Sequence, residues 1–218
     1  MIQWTDILQA TQRVAPFITP TPMCANQTLS EMFGCSFYLK YELMQKTGSF
    51  KTRGAFNQML CLSEAQRQKG VVAISGGNFA GAVAYAARQL QINAVVCMPA
   101  YTPEHYINAT RAYGAQVELA EDFPAVLAKA NAYKEQGLAF LHAWDDDKQI
   151  AGNGSLAIEI YQQLSSMTDI VISVGGGGLL AGMIIALKHL NPAIRIWSVE
   201  TEGAPTLARA LEANKVVN

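Results

Sequence analysis

The sequence predicts an α/β fold, an open parallel sheet with helices on both faces. Short apolar runs rich in β-branched residues, such as Val71-Val72-Ala73-Ile74 and Ala94-Val95-Val96-Cys97-Met98, alternate with longer segments of helical periodicity. Two glycine-rich turns, Ser75-Gly76-Gly77-Asn78 and Gly175-Gly176-Gly177-Gly178, each fall between a strand and the following helix, at the carboxyl end where parallel sheets hold ligands. Half of the 218 residues are hydrophobic and only 15% are charged, so a sizeable buried core is available.

Along the chain, Thr5 is expected to cap a short helix over 6–14 with Ile7, Ala10 and Val14 on one face. Thr19-Pro20-Thr21-Pro22 forces an extended connection, because the residue before each proline is pushed out of the helical region. A helix over 29–33 stops at Gly34, and 36–41 reads as a strand. After the turn at Gly48, the apolar residues of 55–60 return at helical spacing, so Lys51 falls in a first helical turn. Ser63 and Gln66 form a capping box for a short helix ending at Gly70. Strands over 71–75, 94–98, 116–119 and 139–142 then alternate with helices over 79–90, 104–113 and 123–135, the last capped by Asp122 and closed by Gly137. The charged run Asp145-Asp146-Asp147-Lys148 reads as a solvated turn or a crossing between domains. Beyond it come a helix over 155–164, a strand over 170–173, a helix over 179–190, a strand over 195–199 and a helix over 204–213.

The net charge of −1, with no basic block, gives no footprint for nucleic acid or an anionic membrane surface. No apolar run reaches the ~18 residues of a membrane span. The segment from Met1 to Asp6 lacks the basic start and apolar core of a secretion signal, so a cytoplasmic location is expected. Cys24, Cys35, Cys61 and Cys97 form no CxxC pair and are expected to be buried thiols. His105, His142 and His189 are dispersed, and no metal site is expected.

Lys51 opens the chemical reading. The positive end of a helix dipole favours a neutral amine, the form that attacks a carbonyl carbon, and this suggests a Schiff base with pyridoxal phosphate (PLP). Gly175, Gly176, Gly177 and Gly178 would supply the matching phosphate cradle at a helix N-terminus. The loop Ser75-Gly76-Gly77-Asn78 could offer amides to a carboxylate and a side-chain amide to the cofactor ring. Each piece alone has a plainer reading: a solvated lysine, a strand-to-helix connection, a helix cap.

Together, the segments 45–55, 75–78 and 175–178, with 110–115 and 150–159 between them, resemble the PLP-dependent serine/threonine dehydratase and serine racemase family of the tryptophan synthase β-subunit fold group. The resemblance implies two open, doubly wound α/β domains: 1–50 as the first part of the large PLP-binding domain, 51–144 as the small domain, and 145–218 as the large domain's continuation, incomplete at its C-terminus. It implies that Lys51 holds PLP and is the catalytic base, that Phe50 packs beside the ring, and that Asn78 bonds the ring's 3-oxygen. Gly175 to Gly178 would bind the phosphate, while Ser75, Gly76, Gly77 and Asn78 grip the substrate carboxylate. The implied reaction is β-elimination from L-threonine or L-serine, giving a 2-keto acid and ammonia, by a cytoplasmic homo-oligomer, a dimer. Where relatives carry His and Gln after the loop asparagine, this chain has Phe79 and Gly81. Gly76 stands where racemase-like members have a serine, which argues against racemisation. Glu200 and Ala204 match two positions of a divalent-metal site, but Thr206 replaces its third ligand. Two alternatives stay open: a truncated, catalytically impaired PLP-binding protein, and a dinucleotide site using Gly176 to Gly178 with Glu200 as the ribose-binding acid.

Overall fold

The structure, a computed structural model, describes residues 2–217. α1 (Trp4–Val14) buries Ile7, Ala10 and Val14 as their spacing predicts, but Thr5 is not its cap. Gln3 takes that place and donates its N–H to the Asp6 carboxylate at 2.8 Å, which leaves Thr5 inside the first turn. β1 (Met23–Ala25) and β2 (Tyr38–Lys40) pair antiparallel around α2 (Gln27–Phe33), which Asn26 caps and Gly34 ends in the left-handed region. The ribbon buries no residue fully, and Cys24 within it and Cys35 in the link from α2 to β2 are exposed, contrary to the expectation of buried thiols. Cys61 is half-buried, and only Cys97 lies inside, where burial pushes its thiol up to about 11.

The main sheet has four parallel strands in the order β5-β4-β3-β6, formed by β3 (Val71–Ile74), β4 (Ala94–Pro99), β5 (Gln116–Ala120) and β6 (Ala139–Leu141). Alternation within the strands sends Val71, Ala73 and Val96 to one face and Val72, Val95 and Cys97 to the other. The first face packs on α3 (Lys51–Leu60), α5 (Asn78–Leu90) and α6 (Glu104–Ala112), through Phe56, Met59, Val83 and Ile107. The second packs on α7 (Phe123–Glu135) through Val126 and Ala130. The capping box of α4 (Glu64–Lys69) forms as expected, just ahead of β3. Because the chain runs β3, β4, β5 to one side and then returns to β6 on the other, the strand order reverses between β3 and β6. Their carboxyl ends flank a switch-point crevice.

A second apolar cluster joins α1 to α8 (Asp147–Gln163), β7 (Asp169–Ser173), α9 (Gly178–Leu190), β8 (Arg195–Val199) and α10 (Thr206–Ala213). β7 and β8 pair in parallel, Asp169 opposite Arg195. α8 begins eight residues before the expected Ser155, because Asp146 accepts the Lys148 and Gln149 N–H groups and turns the charged run into a helix start. Gly152 and Gly154 look like breakers in the sequence, yet they serve close helix crossings. A Cβ on Gly152 would lie 2.7 Å from Gly54 Cα, and one on Gly154 2.9 Å from Ile7 Cδ1.

Candidate active site

The segment leading into Lys51 is held from several sides. Gln45 clamps Thr19, accepting its N–H at 3.0 Å and donating to its carbonyl at 2.7 Å. Thr47 sits at φ 63°, where a β-branched residue is strained by roughly 1–2 kcal/mol. Thr52 offsets this: its hydroxyl lies 2.8 Å from Thr47 Oγ1 and donates to Lys46 O at 2.6 Å. α3 then starts at Lys51 itself. Two residues on, the fully buried Arg53 donates to both Glu42 oxygens and to Glu159, and Lys40 pairs with Glu159 from the other side. Burial alone would push Glu159 up, but Arg53, Lys40 and the Thr21 N–H together hold its carboxyl below the usual range. α3 is thereby fixed to α8 and to the 42–44 turn.

The Lys51 amine lies 5.3 Å from the Phe50 ring centroid and 5.8 Å from that of Phe79, and donates to Ala143 O at 2.7 Å. Burial lowers it to about 8. The neutral amine expected from the helix start is therefore favoured chiefly by withdrawal of the side chain from water. At pH 7 about one amine in ten is neutral, against roughly one in a few thousand for a free lysine.

The other two motifs approach through their neighbours. After β3, the Ser75 hydroxyl accepts the Gly77 N–H at 3.2 Å and shapes the turn from which α5 starts at Asn78; the next residue is Phe79, the ring near Lys51. A side chain on Gly76 would put Cβ 2.7 Å from Thr102 Oγ1. After β7, the amides of Gly175 to Gly178 find no acceptor among the described residues. Gly177 needs its positive φ of 82°, and no atom stands within 4 Å of where a Cβ on Gly175 or Gly177 would be. Gly176 and Gly178 are glycine for another reason. A Cβ there would lie 2.2 Å from Trp144 Cγ and 2.5 Å from Trp144 O, respectively.

Residues 143 and 144, in the loop after β6, thus touch both Lys51 and the tetraglycine loop. Sequence reasoning missed them, along with Thr102 and the Arg53–Glu42–Glu159 cluster. The one signal for Trp144 was its place just past the carboxyl end of a parallel strand. Glu200 is otherwise engaged: its two oxygens accept the Leu207 and Ala208 N–H groups at 2.7 and 2.9 Å and cap α10. That gives the acid which the dinucleotide alternative joined to Gly176 to Gly178 a helix-capping role. Among the described residues no three His, Cys, Asp or Glu side chains gather as metal ligands, and no helix is long and apolar enough to cross a membrane.

Residues 14–218 match the model of the family described as "Pyridoxal-phosphate dependent enzyme". The chain belongs to that family. It is 39% identical over 217 residues to the L-threonine ammonia-lyase of Thermotoga maritima, covering 99% of this chain and 54% of that one. Among solved structures, maize serine racemase superposes with a TM-score of 0.96 at 31% identity, covering 99% of this chain and 66% of the other. The T.th. threonine deaminase superposes with 0.93 at 37% identity, covering 99% and 70%. The fold is therefore that of the tryptophan synthase β-like PLP enzymes, and the chain spans about half to two thirds of the length of these relatives.

Proposed function

We propose that this protein is a PLP-dependent lyase that deaminates L-threonine or L-serine to a 2-keto acid and ammonia. The observation that carries the reading is a partly buried lysine of lowered basicity at the β3/β6 switch point, linked through residues 143 and 144 to a loop of open backbone amides. The donor set fits the cofactor: Gly175 to Gly178 would hold its phosphate at the start of α9, Asn78 would bond its 3-oxygen, and Phe50 would pack beside the ring. When bound, PLP supplies the electron sink for the bond broken at Cα. Lys51 would hold the cofactor covalently and then, as a free amine, take the Cα proton. The turn from Ser75 through Gly76 and Gly77 to Asn78 would grip the substrate carboxylate. Gly76 offers no proton donor to the opposite face of Cα, which favours elimination over racemisation, and the T.th. threonine deaminase and the Thermotoga protein point the same way. The reading includes a cytoplasmic dimer, where the exposed Cys24 and Cys35 thiols would stay reduced.

A second reading, a PLP-binding protein of reduced activity, is favoured by the exposed Val171, Trp197 and Val199 on β7 and β8. Keto acid and D-amino acid should be followed together from L-threonine and L-serine with PLP present. Keto acid alone supports the lyase; D-amino acid forming faster refutes it, and neither product from a protein that carries PLP selects the second reading.

A further inference from the structure

We propose, resting on the PLP reading above, that Trp144 is a positioning residue that sets the shape of the phosphate-binding loop. The indole lies directly on Gly176, where the position of a Cβ would fall 2.2 Å from Cγ and 2.4 Å from Cδ2, inside the ring system rather than at the tip of a flexible chain. The Trp144 backbone covers Gly178, with its O, C and Cα all within 3.1 Å of a Cβ position there. Two of the four glycines are thus committed to Trp144. The two that face open space, Gly175 and Gly177, lie on either side of Gly176.

The side chain is itself braced. His142 meets the indole edge-on at 4.8 Å between centroids, and its Nδ1 accepts the Asp145 N–H at 2.8 Å, closing the turn around residue 144. The His142 backbone is clamped by Gln58, which donates to its carbonyl at 3.0 Å and accepts its N–H at 3.2 Å. A continuous set of contacts therefore runs from α3 through the end of β6 to the loop after β7, ending on the half-exposed Trp144. Preorganised amides bind an anion better than amides that must first be ordered, so these contacts act on the phosphate specifically.

The test compares PLP with pyridoxal, which lacks the phosphate, by titrating each and counting what borohydride fixes on Lys51. W144A should weaken PLP capture about tenfold or more while changing pyridoxal capture less than about twofold. G176A, which drives a methyl group into the indole, should weaken PLP similarly, and should add little once W144A is present. If W144A does not fold, as judged by its thermal transition, W144F carries the comparison with an effect of about threefold confined to PLP. Equal weakening of both aldehydes, no weakening of either, or additive effects of G176A and W144A would overturn the proposal. Failure of the unsubstituted protein to fix either aldehyde at Lys51 would instead sink the PLP reading itself, and this inference with it.

Discussion

The Lys51 amine is largely withdrawn from water, and this desolvation outweighs the two phenyl faces and the Ala143 carbonyl that favour the ammonium form, so protonating it costs stability. A lysine lowered from 10.5 to about 8 in the fold binds fewer protons than its unfolded counterpart between those values, and stability rises with pH across that window. Below it the cost is fully present, about 3 kcal/mol. Lys51→Met should therefore raise the melting temperature at pH 7, with the advantage fading from pH 8 to 10.5, as calorimetry at both ends of the window would show. Capture of PLP by the native lysine should speed up as pH rises from 7 and level off above about 9, since only the free amine reacts. The glycines divide in the same way. Gly175→Ala meets open space and should be nearly silent toward folding, whereas Gly177→Ala must hold a side chain at φ 82° and should cost about 1 kcal/mol, measurable by denaturant titration.

At the scale of elements, the crossing of α3 and α8 fixes where Lys51 points. Its glycines allow approaches that a methyl group would block, and Gly152→Ala, with a Cβ 2.7 Å from Arg53 O, should cost about 2 kcal/mol or more through overpacking. Removing one partner from the buried charge cluster is expected to cost more. Glu159→Ala takes the carboxylate from Lys40, which keeps the Thr21 and Gln163 oxygens, and leaves Arg53 one carboxylate, Glu42, so it should destabilise by about 3 kcal/mol in urea unfolding. The carboxyl of Glu159 is held low in the fold, so its contribution is complete above the ordinary carboxylate range and is lost as pH falls below it. These contacts explain what could be read from the sequence. The strands β3 and β4 and the helix α7 were legible because β-branched runs, Asp122 and Gly137 encode them locally. The start of α8 was not, since Gly152 and Gly154 look like turn residues until the helices that press on them are known. Trp144 was hidden for a similar reason: its role depends on a loop more than thirty positions later in the chain.

For the molecule as a whole, three apolar clusters fall into two units, two of the clusters lying on opposite faces of the main sheet. One unit gathers residues from 55 to 143 with Val14, and the other joins the N-terminal residues Ile2, Ile7 and Ala10 to residues from 151 to 194. We propose on this basis that 51–144 forms the small domain and that 1–50 and 145–218 belong to the large one. The β7–β8 pair in the second unit is covered by α9 on one face and exposes Val171, Trp197 and Val199 elsewhere. A parallel pair left this open tends to associate. Sedimentation should show concentration-dependent self-association, reduced when Val171 and Trp197 are both changed to Lys; a single monomeric species at all concentrations would contradict the expectation.

Everything proposed for the site depends on Lys51 carrying the cofactor. The direct measurement is to incubate the protein with PLP at pH 8, reduce with borohydride, digest, and locate the added mass by peptide sequencing in the mass spectrometer. A single modified peptide is expected, with the label on Lys51 and none in the Lys51→Met protein. Label spread over surface lysines, or concentrated on any other single lysine, would contradict that expectation.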